Sequence, residues 1–142
     1  MSVRTILLVE NDLAFAKFII GSFRDVDPEF DLFHVNSGHA AISIMNSGFR
    51  PDLIICEDRM PRMSGSELLL SIRTDPSYQS IPFFTLTSSF TDDVPASPGK
   101  MPMDIKIPRP SNYREALALA HKVRGLAPQE TPAVGEEQAV TI

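Results

Sequence analysis

Polar side chains that could bind a cation and a phosphoryl group follow four apolar runs of this sequence, at the points where those runs end. They are Glu10, Asn11 and Asp12 after the first run, Glu57 and Asp58 after the third, Thr87 after the fourth, and Arg109 and Pro110 after the fifth. Carboxylate and carbonyl oxygens suit Mg²⁺, which usually takes one or two carboxylates together with water and phosphate oxygens. A cation opposite them would hold a phosphoryl group. Each position alone could be an ordinary cap or turn, but four at matching points favour one shared pocket.

The apolar runs alternate with segments of helical periodicity, which predicts a parallel sheet covered by helices on both faces. The predicted strands are 5–9, 30–35, 53–56, 82–86 and, more weakly, 103–107; the predicted helices are 13–24, 37–48, 64–74 and 111–124. Asp12 and Ser37 are the predicted N-caps of the first and second helices. Right-handed crossovers then give an α/β, flavodoxin-like, doubly wound sheet of five strands in the order 2-1-3-4-5. In such sheets the carboxyl ends of the strands line one crevice, so the polar positions should meet there.

Two segments depart from this alternation. Between the fourth and fifth predicted strands, Pro95, Pro98 and Pro102 would break a long helix, so the fourth helix should be short or irregular. The last residues have no periodicity and little bulk. We therefore expect a single domain over 1–125 and a disordered tail over 126–142.

Composition narrows the class of protein. The chain of 142 residues suffices for one domain, and no apolar run approaches the roughly 18 residues that span a bilayer. No signal peptide is expected, because residues 1–4 lead directly into the first strand. The lone cysteine, Cys56, follows three aliphatic residues and should be a buried, inert thiol. These features predict a cytoplasmic protein with no membrane association.

The charge is unevenly distributed along the chain. Residues 1–93 carry 7 basic and 13 acidic side chains, whereas residues 94–125 carry 6 basic and 2 acidic ones. The sequence lacks a concentrated basic stripe with interleaved aromatic residues, so direct nucleic-acid binding is not expected. An acidic body with a basic C-terminal helix favours a protein partner.

Residues 51–65, PDLIICEDRMPRMSG, resemble the segment around the phospho-acceptor of bacterial two-component response-regulator receiver domains. The most specific part is Met60-Pro61 with Gly65, and the resemblance extends over residues 3–124. It implies that a histidine kinase donates a phosphoryl group, with Mg²⁺ present, to an acceptor at the position of Glu57. It further implies roles for other positions of the chain. The family's acidic metal pocket falls on Glu10, Asn11 and Glu57, and its switch hydroxyl falls on Thr87. Its aromatic switch residue falls on Lys106, and its lysine followed by a cis-proline falls on Arg109-Pro110.

Several of these positions differ from the family pattern, as in a pseudo-receiver. Glu57 replaces aspartate and adds a methylene, about 1.5 Å of reach, which could slow in-line phosphoryl transfer about a hundredfold. Asn11 removes a negative charge, so Mg²⁺ binding should be weakened but not abolished. Arg109 replaces lysine and could pair bidentately with Glu57. Lys106 puts the threonine–aromatic coupling in doubt, and Pro108 should disturb the fifth strand.

The first hypothesis is therefore an atypical receiver domain that is not an enzyme and acts as an interaction module in phosphorelay signalling. Its partner would be a histidine kinase or another signalling protein, bound through the strand and helix of residues 103–124. An alternative is a phosphorylatable receiver that uses Asp58 with Mg²⁺. A strand bulge would then have to bring the Asp58 side chain into the pocket. A minor alternative is a small flavodoxin-like enzyme, although there is no Gly-rich phosphate loop. These positions could also be structural only. Glu57 could be a solvated carboxylate at a strand end, Thr87 could cap a loop, and Arg109 could neutralise the surplus of acidic residues.

Overall fold

Five parallel strands form one sheet in the chain, which a computed structural model describes over residues 3–88 and 104–126. The strands are β1 (Thr5–Val9), β2 (Asp31–Val35), β3 (Leu53–Glu57), β4 (Phe83–Thr87) and β5 (Ile105–Pro108). The helices of the described residues are α1 (Leu13–Val26), α2 (Gly38–Asn46), α3 (Gly65–Thr74) and α4 (Tyr113–Arg124). The sheet order is β2-β1-β3-β4-β5, so the predicted flavodoxin-like topology is confirmed.

Apolar side chains alternate between the two faces of the sheet and build two cores. On one face, Leu8 and Ile55 pack in a cluster with Phe23 of α1 and Val123 of α4. On the other face, Leu7, Ile54 and Phe83 pack with Met45 of α2 and Leu68 of α3. Because the central strands are covered on both sides, their sequences read as continuous apolar runs. The alternation continues to the strand ends and sends Glu57 to the same face as Ile55.

Side-chain caps fix where the helices begin, next to the carboxyl ends of the strands. Asp12 accepts a hydrogen bond from the Phe15 amide at 3.1 Å, which confirms its predicted capping role for α1. Ser37, also predicted as a cap, accepts from the amide of Ala40 at 3.0 Å. Ser64 forms a capping box with Glu67 at the start of α3.

The expected disturbance of the fifth strand by Pro108 is not found. Pro108 is the last residue of β5 and pairs in register with Thr87. The next amide, that of Arg109, donates to the Thr87 carbonyl at 2.9 Å, so the ladder continues past the proline. Proline is tolerated here because β5 lies at the edge of the sheet, where one side of the strand needs no donor.

Burial of the lone cysteine is confirmed. Cys56 is fully buried in β3 and unpaired, and burial raises the pKa of its thiol well above the usual value. Since the thiolate is the reactive form, this residue belongs to the core rather than to the chemistry of the site.

Other predictions fall at or beyond the edges of the described chain. The short or irregular fourth helix was predicted between the fourth and fifth strands, and residues 89–103 of that segment lie outside the described residues. Leu126 is buried, and its carbonyl accepts from the Val3 amide at 3.3 Å, so the core extends to that residue. Disorder of the tail stays a prediction. No helix in the described ranges is long and apolar enough to cross a membrane.

Candidate functional site

Two buried glutamates and one arginine meet where β1, β3 and β5 end, and we call Glu10, Glu57 and Arg109 the pocket cluster. Nη1 of Arg109 donates to Oε1 of Glu10 at 3.0 Å and also to Oε1 of Glu57. Glu10 is 1% exposed and Glu57 is 8% exposed, whereas the Arg109 side chain is 26% exposed. The guanidinium therefore bridges both carboxylates from the open side of the pocket.

The remaining oxygens of the two carboxylates also have donors. Oε2 of Glu10 accepts from the Asp12 amide at 3.0 Å, and Oε2 of Glu57 accepts from the Arg59 amide at 3.1 Å. Every carboxylate oxygen of the pocket cluster thus accepts at least one hydrogen bond. The bonds form one connected network from the loop after β1, through Arg109, to the loop after β3.

An aromatic ring completes the surroundings of the guanidinium. Cζ of Arg109 lies 3.5 Å from the centroid of the Phe15 ring, and Phe15 itself packs against Phe18 with the ring centroids 5.9 Å apart. Such a cation–π contact contributes about 0.5–2 kcal/mol, depending on how far the cation is desolvated. Carboxylates and ring together fix the position of the arginine head group.

Not all of the predicted site residues join this cluster. Thr87 is buried and reaches it through its backbone, since its carbonyl accepts from the Arg109 amide. Asn11 is exposed, and Lys106 is exposed on β5. Asp58 is half-buried and continues the ladder through its amide, which donates to Leu86 at 3.0 Å, so no bulge turns it towards Glu10.

The resemblance also implied a cis-proline at Pro110, and this implication was wrong. Pro110 is buried, but residues 3–88 and 104–126 contain no cis peptide bond, so the Arg109–Pro110 bond is trans. The trans form is the lower-energy isomer of an X–Pro bond.

Sequence reasoning missed two residues that support the site. Phe15 was assigned only to the apolar stripe of the first helix, although its place at the start of that stripe puts it near the strand ends. His34, in β2, uses Nε2 to donate to the Glu10 carbonyl at 2.8 Å and so holds the end of β1. The signal in the sequence was the partial alternation of polar and apolar residues in 30–35, which places His34 near the end of a strand.

Comparison with known proteins identifies the family. The family model of the response regulator receiver domain matches residues 6–118, which is most of the chain. The chain belongs to the response regulator receiver domain family. It is thus a receiver domain of two-component signalling, and such domains are signalling modules rather than typical enzymes.

Relatives of this receiver domain are distant. Response regulator Rcp1 of Synechocystis sp. is 27% identical over 96 residues, which cover 63% of this chain and 65% of the relative. The probable methanogenesis regulatory protein FilR2 of Methanothrix harundinacea is 30% identical over 93 residues, covering 62% of this chain and 60% of the relative. The chain therefore spans less than two thirds of the length of these curated relatives.

Solved structures share the fold. The phosphorylated cyanobacterial phytochrome response regulator RcpA is 21% identical with a TM-score of 0.67, covering 84% of this chain and 89% of that one. The Mn²⁺-bound form of response regulator Rcp1 is 22% identical with a TM-score of 0.65, covering 82% of this chain and 88% of that one. At these identities the likeness concerns the architecture of the receiver domain.

Receiver domains commonly bind Mg²⁺ or Mn²⁺, and the residues of this receiver domain do not fit such an ion. The guanidinium of Arg109 already lies between Glu10 and Glu57, and Asn11 is exposed. Within the described ranges, no three His, Cys, Asp or Glu side chains are grouped so that they could hold a metal ion. The pocket cluster is instead satisfied by its own cation.

The electrostatics of this receiver's pocket are dominated by the burial of Glu10. Burial raises the pKa of Glu10 above its usual value, and the negative charge of Glu57 acts in the same direction. The hydrogen bond from the Asp12 amide and the charge of Arg109 lower it, but by less. The folded protein therefore holds a proton on Glu10 more tightly than the unfolded chain does.

This shift predicts how Glu10 affects stability with pH. Between the usual pKa and the raised one, the native state binds more protons than the unfolded state, so its stability falls as pH rises through that window. We expect the free energy of unfolding of the wild type, minus that of Glu10→Gln, to decrease from acidic to neutral pH. Urea unfolding of both proteins across this range measures the difference. A difference that grows with pH would contradict the assignment.

Proposed function

We propose that this receiver domain is an atypical interaction module of phosphorelay signalling, whose pocket is held by ion pairs and does not take a phosphoryl group on Glu57. The observation that carries the proposal is that both carboxylate oxygens of Glu57 already accept hydrogen bonds, one from Arg109 and one from the Arg59 amide. A carboxylate oxygen must approach phosphorus in line to accept a phosphoryl group. Here that approach requires breaking an ion pair in a nearly dry site.

The negative charge of Glu57 supports a domain that stays in one conformational state without being phosphorylated. Glu57 contributes about one negative charge where a phosphoryl group contributes about −1.5 to −2, and its extra methylene extends the carboxylate towards Arg109. Arg109, at the end of β5, pairs with this charge as a cation would pair with a phosphoryl group. In this proposal the glutamate partly imitates the phosphorylated state, and the domain presents one interaction surface without a phosphorylation step.

The partner surface that we propose is the face of β5 and α4, within residues 103–124. Lys106 on β5 and Arg114 on α4 are exposed basic residues of this face. A groove of about 250 Å³ on this face is lined in part by the apolar Ile107 and Leu119 and by the charged Glu115 and Lys122. A mainly apolar groove on a face that also carries exposed basic residues suits a histidine kinase or another signalling protein that presents apolar and acidic side chains.

A second candidate is a receiver that is phosphorylated on Asp58. The observation in its favour is that, in the described part of the chain, the Asp58 side chain makes no hydrogen bond or ion pair, so its oxygens are open where those of Glu57 are not. The two candidates make opposite predictions for the chemistry of position 58.

Phosphoryl transfer can be tested directly with acetyl phosphate and Mg²⁺, followed by intact-mass spectrometry and peptide mapping. We expect no phosphoryl adduct on the wild type, because the acceptor oxygens are paired and desolvated. The matched variants are Glu57→Asp, which shortens the side chain, and Asp58→Asn, which removes the second candidate. An adduct on Glu57 would overturn the proposal, and one that Asp58→Asn abolishes would establish the second candidate.

Whether the charge of Glu57 imitates a phosphoryl group can be tested separately by NMR. We expect Glu57→Gln to change the amide chemical shifts along β5 and α4, because it removes the negative charge that pairs with Arg109. Unchanged shifts in both Glu57→Gln and Glu57→Asp would show that the carboxylate does not set this surface.

A further inference from the structure

We propose that the guanidinium of Arg109 is the resident cation of this pocket, and that it excludes a divalent metal ion by holding the carboxylates that the metal would need. The inference deepens the proposed function and rests on it. Metal binding and phosphoryl transfer are nevertheless measured separately, so that one can fail without the other.

The guanidinium of Arg109 lies where a metal ion shared by the two glutamates would have to lie. A single nitrogen of Arg109 donates to both Glu10 and Glu57, so the guanidinium occupies the space between the two carboxylates. Mg²⁺ requires oxygen ligands at about 2.0–2.1 Å in near-octahedral geometry. An ion that took Oε1 of both glutamates at such distances would lie against the guanidinium. The two cations therefore cannot occupy the pocket together.

The charges of the pocket cluster also oppose a second cation. Two carboxylates and one guanidinium leave the pocket cluster with a single net negative charge, in a site where Glu10 is almost fully buried. A divalent ion that shared these two carboxylates would lie beside the guanidinium, and repulsion between two neighbouring cations is costly in a partly buried site. The metal can enter only if the arginine leaves.

Two further contacts hold Arg109 in the pocket besides its ion pairs. Its guanidinium stacks on Phe15 with 3.5 Å between Cζ and the ring centroid, and its own amide is held by the Thr87 carbonyl. A guanidinium is more weakly hydrated than an ammonium and stacks on aromatic faces, so it gains more here than a lysine would. Phe15 is thus a positioning residue for the cation of the pocket.

The test is a titration of the purified chain with Mn²⁺, with free Mn²⁺ measured by electron paramagnetic resonance. The variants are Arg109→Ala, which opens the pocket, and Arg109→Lys, which keeps the charge but not the planar fork. If the guanidinium leaves the pocket in no more than about one molecule in ten, Arg109→Ala should bind Mn²⁺ at least about tenfold more tightly than the wild type. Arg109→Lys should lie between them. Adding Glu10→Gln to Arg109→Ala should remove the gain.

Each outcome bears on the proposal. Wild-type binding as tight as that of Arg109→Ala would overturn it, because the guanidinium would then not exclude the metal ion. If Arg109→Ala does not fold without metal, the comparison of the wild type with Arg109→Lys decides, and so does refolding of Arg109→Ala by added Mn²⁺, because a ligand that binds only the native state stabilises it. Failure of Mn²⁺ to refold Arg109→Ala, together with equal binding by the other two proteins, counts against the proposal.

Discussion

Arg109→Ala should lower the free energy of unfolding by about 3–5 kcal/mol, because it leaves buried carboxylates without their cation. Glu10 is 1% exposed and loses the donor to Oε1, while Glu57 keeps only the Arg59 amide. The loss of the stacking contact on Phe15 adds to this. Urea unfolding at neutral pH, followed by circular dichroism, measures the effect.

An exposed arginine–glutamate pair provides the matched control for this experiment. Arg4 donates to Glu29 at 2.8 Å, but both side chains are about two-thirds exposed, and such pairs contribute roughly 0–1 kcal/mol. Arg4→Ala should therefore cost far less than Arg109→Ala. Equal losses in the two variants would show that burial of the pocket cluster does not dominate its energetics. Coupling of Arg109→Ala with Glu57→Gln should be strongly non-additive, because the second change removes a charge that the first leaves unpaired.

Gly65→Ala should destabilise the protein by about 1–3 kcal/mol, because the added methyl group meets backbone that cannot move aside. A Cβ built on Gly65 would lie 2.8 Å from the Glu57 carbonyl oxygen and 3.0 Å from Cα of Asp58. Gly65 also donates its amide to the Asp58 carbonyl at 3.0 Å, so the start of α3 lies directly against the end of β3. The substitution should therefore also shift the amide resonances of residues 57–59, which two-dimensional NMR can detect.

Gly38→Ala is the control that separates backbone crowding from the loss of a glycine. Gly38 opens α2 as Gly65 opens α3, and its added Cβ would lie 2.5 Å from Sδ of Met63. Cγ and Cβ of Met63 lie 3.0 and 3.3 Å from the added Cβ, so all of these contacts are with a flexible side chain, whose outer atoms can rotate away, and none is with backbone. Gly38→Ala should therefore change the free energy of unfolding by less than about 1 kcal/mol. A larger loss in Gly38→Ala than in Gly65→Ala would refute this account.

The order of strands and helices follows from signals that are local in the sequence. The run Thr5–Val9 has a buried-strand pattern and forms β1 with the same bounds, and Asp12 and Ser37 cap the helices that they were predicted to cap. Such signals depend on neighbouring residues alone, so periodicity and capping chemistry suffice to read them. Alternation of strands and helices then restricts the topology to a doubly wound sheet.

The residues of the site were predictable as a set, but their pairing was not. The position rule for parallel sheets brought Glu10, Glu57 and Arg109 to one crevice, and an ion pair between Glu57 and Arg109 was anticipated. The sequence did not indicate that one arginine nitrogen would serve both glutamates, nor that Phe15 would cover the guanidinium. Asn11, assigned to the same pocket by resemblance, is exposed.

What the sequence alone determined is therefore the scaffold and the unusual residue types at its strand ends, Glu57 first among them. What only the tertiary structure decided is which atoms of those residues meet. Arg109 is 99 residues from Glu10 and 52 from Glu57 along the chain, so no local rule relates them. Their distances are set by the register of β1, β3 and β5 within the sheet and by the ring of Phe15 beside them. Within that register, the guanidinium of Arg109 lies between two of the carboxylates that were expected to help hold a metal ion.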